Sequence, residues 1–151
     1  MAKEKAERKA PVEREFSSGG VAVRGDDVAV IVPVRLSQDG QRVLALPKGH
    51  PDPGESMVDA AQREVREEAG IDTELVEKLG DVRYWYQREG RRIFKVVSFY
   101  LLRYRSGDVA DHDHEIEEAR WMPLADAVKE LTFPGEREMA ERALSRRHAD
   151  R

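Results

Sequence analysis

The chain has 151 residues, 37% charged and 40% hydrophobic, with a net charge of −4 and no cysteine. That balance gives one globular domain with a real core, and it excludes a disulfide framework, thiol chemistry and the basic surface that non-specific nucleic-acid binding needs. No run approaches the roughly 18 consecutive apolar residues of a membrane span. The start, MAKEKAERKAPVEREF, lacks the apolar segment of a signal peptide, so a cytoplasmic protein is expected.

Residues 1–14 read as a mixed-charge extension, disordered or loosely helical, ahead of a single domain over 15–151. FSSGGVAVRG (Phe16–Gly25) reads as a strand weakened by glycine, where Gly19 and Gly20 mark a bulge or a close backbone approach. VAVIVPVRL (Val28–Leu36) and RVLALP (Arg42–Pro47), joined by SQDG, read as a hairpin. A loop rich in glycine and proline follows, then a helix. Ser56 and Asp59 form its capping pattern, and Gly70 fits the left-handed residue that ends it. Val58, Ala61, Val65 and Ala69 give that helix an apolar stripe.

DVRYWYQ (Asp81–Gln87), the turn Glu89-Gly90 and RIFKVVSFYLLRY (Arg92–Tyr104) make the clearest hairpin of the sequence. EEARWM (Glu117–Met122) is a further short strand, and PLADAVKEL and GEREMAERALSRR repeat apolar residues at helical spacing. Strands dominate, with one helix mid-chain and two near the end. The expectation is an α/β (α+β) domain around a mixed sheet.

The mid-chain helix carries the chemistry. Glu64, Glu67 and Glu68 fall at i, i+3 and i+4 and cluster on one face. Such a cluster is either a solvated acidic face or a set of oxygen ligands. The Pro-Lys-Gly-His-Pro loop leading into it adds backbone carbonyls, and hard divalent cations such as Mg²⁺ take oxygen ligands shared with substrate phosphates. His50, His112 and His114 read as loop residues, because hard cations prefer oxygen to imidazole.

Gly49, five residues, Glu55, seven residues, Arg63-Glu64-Val65, then Glu67-Glu68 and Gly70-Ile71 resembles the complete Nudix box, with no position departing from it. The resemblance extends over roughly Phe16 to Leu144. It implies a Nudix fold, an α/β/α sandwich with the box as loop–helix–loop, and hydrolysis of a nucleoside diphosphate linked to another moiety, with Mg²⁺ or Mn²⁺ required. It implies metal ligation by Glu64, Glu67, Glu68 and the Gly49 carbonyl, with Arg63 and Glu55 in support and Gly70 closing the motif. The proton acceptor varies within the family. Glu64 is one candidate, and Glu115 or Glu118 in HDHEIEEARW is another.

LPKGHPDPGE resembles the diadenosine polyphosphate hydrolase branch, in which Lys48 would lie beside the phosphate chain. FKVVSFYLLR is similar to a strand of that branch, except that Ser98 stands where its members commonly have His. Tyr84 and Tyr86 share one face of their strand, for sheet packing or adenine stacking. Lys95 is an outward strand lysine or a phosphate contact, and Trp85 and Trp121 are expected in the core. The expected substrate is a (di)nucleoside polyphosphate such as diadenosine tetraphosphate. The alternatives are oxidised nucleoside triphosphates, a diphosphoinositol polyphosphate, or a nucleotide-sensing module without turnover. The expected partner is the small molecule alone, with no nucleic acid or membrane, on a monomer or homodimer.

Overall fold

The structure, a computed structural model, describes residues 12–35 and 40–149. Among these, strands β1 (Glu13–Arg24) and β2 (Asp27–Pro33) are followed by the two-residue β3 (Lys48–Gly49) and helix α1 (Met57–Ala69). The long strands β4 (Ile71–Arg88) and β5 (Arg91–Gly107) come next. A 3₁₀ turn, β6 (Ile116–Pro123), α2 (Leu124–Glu130) and α3 (Pro134–Ala149) complete the order. The six strands form one mixed sheet ordered β4-β5-β1-β2-β6, with β3 on β1. Among the described strands, only β1 and β5 run parallel, paired from Glu13↔Ile93 to Val23↔Arg103.

Strand alternation sends two core layers to opposite faces. Val21, Val97 and Phe99 meet Leu124, Leu131, Met139 and Ala143 of the α2–α3 side. Ala22, Tyr100 and Leu102 meet Ala61, Val65 and Ala69 of α1. The sheet is thus sandwiched between helical layers. None of the described helices is long and apolar enough to cross a membrane.

Several local expectations map directly onto the fold. Ser56 caps α1 by accepting from the Asp59 N–H at 3.0 Å, and Gly70 ends it at φ 75°. Gly19 and Gly20 are close approaches: a Cβ on Gly19 would lie 2.5 Å from the Pro47 carbonyl oxygen, and one on Gly20 2.5 Å from Leu102 Cδ1. Strand β1 takes in Glu13 and Arg14, which the sequence reading leaves in the extension. The rest of that extension, residues 1–11, lies outside the described residues.

Two expectations are corrected. The hairpin of Val28–Leu36 with Arg42–Pro47 is not a ladder: its second arm contributes one bridge, Ile31↔Ala45, and β2 pairs instead with β6 and, near the turn, with β1. The cause is competition for backbone groups. Leu44 N–H donates to Thr132 Oγ1 at 2.8 Å and Leu46 N–H to the Glu136 carboxylate at 2.8 Å, so helical-layer side chains satisfy an arm that reads as strand. Part of the SQDG turn falls outside the described residues. Trp85 is not core: it is 48% exposed. Its ring packs on Phe94 at 5.0 Å with Arg92 stacked 4.4 Å from its centroid. The β4–β5 hairpin outruns the helix that covers the sheet, so an aromatic there covers its partner strand alone. Trp121 is partly buried against the α1-side core.

Candidate active site

The segment Leu46–His50 contains β3, which pairs with β1 at the sheet and sets the loop against α1. Gly49 is pressed against α1: a Cβ there would fall 2.3–2.5 Å from the carboxylate atoms of Glu64. Only glycine leaves room for that carboxylate beside the backbone. Lys48 N–H donates to Glu68 Oε1 at 3.0 Å, tying the loop to the next turn of the same helix.

Arg63 offsets much of the acidic charge. Its guanidinium grips Glu55 with two bonds, at 2.9 and 3.0 Å, and donates to Glu64 Oε1 at 2.8 Å. It also reaches both oxygens of Glu67 at 3.2 Å and the His50 carbonyl at 2.9 Å. A planar fork of donors suits this task, since it locks several carboxylates in one orientation. Among the described residues, no three His, Asp or Glu side chains stand close enough to clasp one cation as they lie. A cation would therefore compete with Arg63 for Glu64 and Glu67. The donors present, three carboxylates and a glycine backbone packed against one of them, are all oxygen and fit a hard divalent ion.

Burial sets the electrostatics. The Glu68 carboxyl is pushed up to about 8 by desolvation, aided by the charge of Glu64 and opposed by its bond from Lys48 N–H. Glu64, 9% exposed, is raised by burial against the pull of Arg63. Asp113, whose N–H donates to the Glu67 carbonyl at 2.9 Å, adds its charge to both. A carboxyl raised in the folded state stabilises below its unfolded value and loses that contribution as pH climbs toward the folded value. The metal-free protein should therefore melt at falling temperature from about pH 5 to about pH 8, the Glu68 window. Glu68→Gln should flatten that slope in thermal melts with EDTA, and an unaltered slope would remove Glu68 as its source.

Gly49, Arg63, Glu64 and Glu68 open onto a cleft of about 910 Å³ lined also by Ser17, Lys48, Tyr84, Lys95, His114 and Glu115, whereas Glu67, Glu55 and Asp113 are not part of its lining. Glu64, Glu68, Arg63, Gly49, Lys48, Lys95, Tyr84 and Glu115 are thus brought together. Tyr86 and Glu118 do not line the cleft. Tyr86 donates its hydroxyl to Glu15, and Glu118 pairs with Arg120 at 3.3 Å. Both lysines have carboxylate partners: Lys48 Nζ lies 2.7 Å from Glu136 and Lys95 Nζ 3.6 Å from Glu15. Ser98 donates to Asp81 at 2.7 Å. Sequence reasoning missed Glu136 and Asp113. Glu136 looks like an ordinary first-turn acid of α3, and Asp113 like one more charge in a polar loop.

A mixed sheet lies between helical layers and carries this loop–helix–loop on one face. The NUDIX domain family model matches residues 15–143, and the chain belongs to the Nudix family. It is 37% identical over 133 residues to "Putative mutator protein MutT4" of Mycobacterium tuberculosis (strain CDC 1551 / Oshkosh), covering 84% of this chain and 53% of that protein. The chain therefore spans about half the length of that relative. It is 36% identical over 85 residues to the "Bis(5'-nucleosyl)-tetraphosphatase [asymmetrical]" of Caenorhabditis elegans, covering 55% of this chain and 60% of that one. Among solved structures, a NUDIX hydrolase from Nitrosomonas europaea superposes with a TM-score of 0.72 at 20% identity, over 88% of this chain and 90% of that one. That likeness speaks for the fold.

Proposed function

We propose that the protein hydrolyses a phosphoanhydride bond of a (di)nucleoside polyphosphate, such as diadenosine tetraphosphate, with Mg²⁺ as the divalent cation. The observation that carries this reading is the buried Glu64, packed on Gly49, beside the half-buried Glu68 in a cleft that also holds lysines and an aromatic ring. Glu64, Glu67, Glu68 and the Gly49 carbonyl would hold the cation, which when bound would supply positive charge to the phosphoryl oxygens and acidity to the water. The chain does the rest. Arg63 orients the carboxylates, Lys48 and Lys95 line the path of the phosphates, and Glu115 stands in the cleft to take the water's proton. Water adds to phosphorus, the anhydride P–O bond breaks, and the departing phosphate keeps the electron pair.

Tyr84, 43% exposed, lines the cleft, and its ring would stack a base. Tyr84→Ala should raise KM about tenfold, since base stacking is worth roughly 1–3 kcal/mol. Stacking is similar in the ground and transition states, so kcat should hardly change. Steady-state kinetics on diadenosine tetraphosphate would check this, and an unmoved KM would place the base elsewhere. A second reading, a nucleoside triphosphate pyrophosphatase, has one observation in its favour. Lys48 and Lys95 are already ion-paired, which leaves less positive charge for a long polyphosphate. A turnover panel of diadenosine polyphosphates, ADP-ribose, 8-oxo-dGTP and a diphosphoinositol separates the readings.

A further inference from the structure

Lys48 stands between two carboxylates from different helices. Its backbone N–H donates to Glu68 of α1 at 3.0 Å, and its ammonium lies within electrostatic reach of the same side chain. That ammonium is nonetheless bonded to Glu136 of α3 at 2.7 Å. Glu136 is only 4% exposed, and its other oxygen accepts Leu46 N–H at 2.8 Å. It is absent from the lining of the acidic cleft. It borders instead a second cavity of about 660 Å³, walled by Val82, Val97, Phe99 and Phe133, where Lys48 joins it.

A buried carboxylate with both oxygens engaged is costly to place and is held for a reason beyond solvation. The lysine stem is flexible and its charge compact, so an ammonium deprived of one counter-ion turns to the next one within reach. Here that next one is Glu68. We propose that Glu136 is a positioning residue for the cation site: by holding the Lys48 ammonium toward α3, it keeps that charge off Glu68 and leaves the α1 carboxylates to a divalent cation. The inference rests on the reading of Glu64, Glu67 and Glu68 as cation ligands.

The test is binding of Mn²⁺ to the full chain without substrate, followed by the electron paramagnetic resonance signal of the free aquo ion. Glu136→Gln keeps an acceptor for Leu46 N–H and loses the charge that holds Lys48. Its dissociation constant for Mn²⁺ should rise about tenfold, as for groups that tune a metal site from outside its ligand set. In Glu136→Gln combined with Lys48→Met, the constant should return to within about threefold of wild type, because the competing ammonium is gone. A purely structural role for Glu136 would not be rescued by removing Lys48. Lys48→Met alone should bind Mn²⁺ at least as tightly as wild type, and this arm decides the matter if Glu136→Gln fails to fold. Unchanged binding in Glu136→Gln, a double variant as weak as the single one, or weakened binding in Lys48→Met would each overturn the proposal. A wild-type chain that binds no Mn²⁺ would overturn the cation reading itself, a distinguishable result.

Discussion

Glu68→Gln is expected to lower kcat about a thousandfold while the fold stays intact, the scale of removing preorganised charge from a reacting phosphoryl group. The amide keeps the shape and the acceptor for Lys48 N–H, but it lacks the negative charge that a cation requires. Stability should not suffer. Burial already pushes the Glu68 carboxyl up to about 8, so its surroundings tolerate a neutral amide of the same shape. Glu67→Gln should cost kcat on the same scale. Its side chain is 47% exposed and bound at the surface to Arg63, so its effect on melting should be small. Steady-state kinetics at saturating Mg²⁺ with parallel thermal melts would check both. Near-wild-type turnover in either variant would sink the proposed cation site.

Gly49→Ala is the second large effect. The added methyl carbon would fall 2.3–2.5 Å from the Glu64 carboxylate, well inside contact distance, so that carboxylate must move. Its displacement would break the 2.8 Å bond from Arg63 and take one oxygen donor from the cleft. The expected result is a fall in kcat of about a hundredfold, at an overpacking cost of only about 1–3 kcal/mol. The disproportion is the point: a small change in stability with a large change in turnover locates the damage at the site. If Gly49→Ala turned over normally, the placement of Glu64 beside that backbone would have no part in the reaction.

The sequence carries much of this site because its spacing is local. Glu64, Glu67 and Glu68 share a helix face by periodicity alone, and Ser56 and Gly70 mark the ends of that helix. The mid-chain hairpin is legible for the same reason, its partners lying on either side of one short turn. What depends on distant segments is not legible. The arm Arg42–Pro47 has the composition of a strand, yet Thr132 and Glu136, some ninety positions away, take its N–H groups. Trp85 is read as core by residue type, because nothing in the local pattern says that α1 stops short of it. Lys48 is legible as a cation next to the box, but its bond to Glu136 is a contact across 88 positions that no periodicity encodes. Tyr84 and Tyr86 share a strand face as their spacing requires, and only packing separates them: one lines the cleft and the other is tied to Glu15.

The most direct test of the central claim is the hydrolysis of diadenosine tetraphosphate by the wild-type chain, with products resolved by chromatography, in Mg²⁺ and again after chelation with EDTA. Adenine nucleotide products are expected in Mg²⁺, none in EDTA, and about a thousandfold slower release from Glu68→Gln in Mg²⁺. Equal turnover with and without the cation, or full turnover by Glu68→Gln, would contradict that claim.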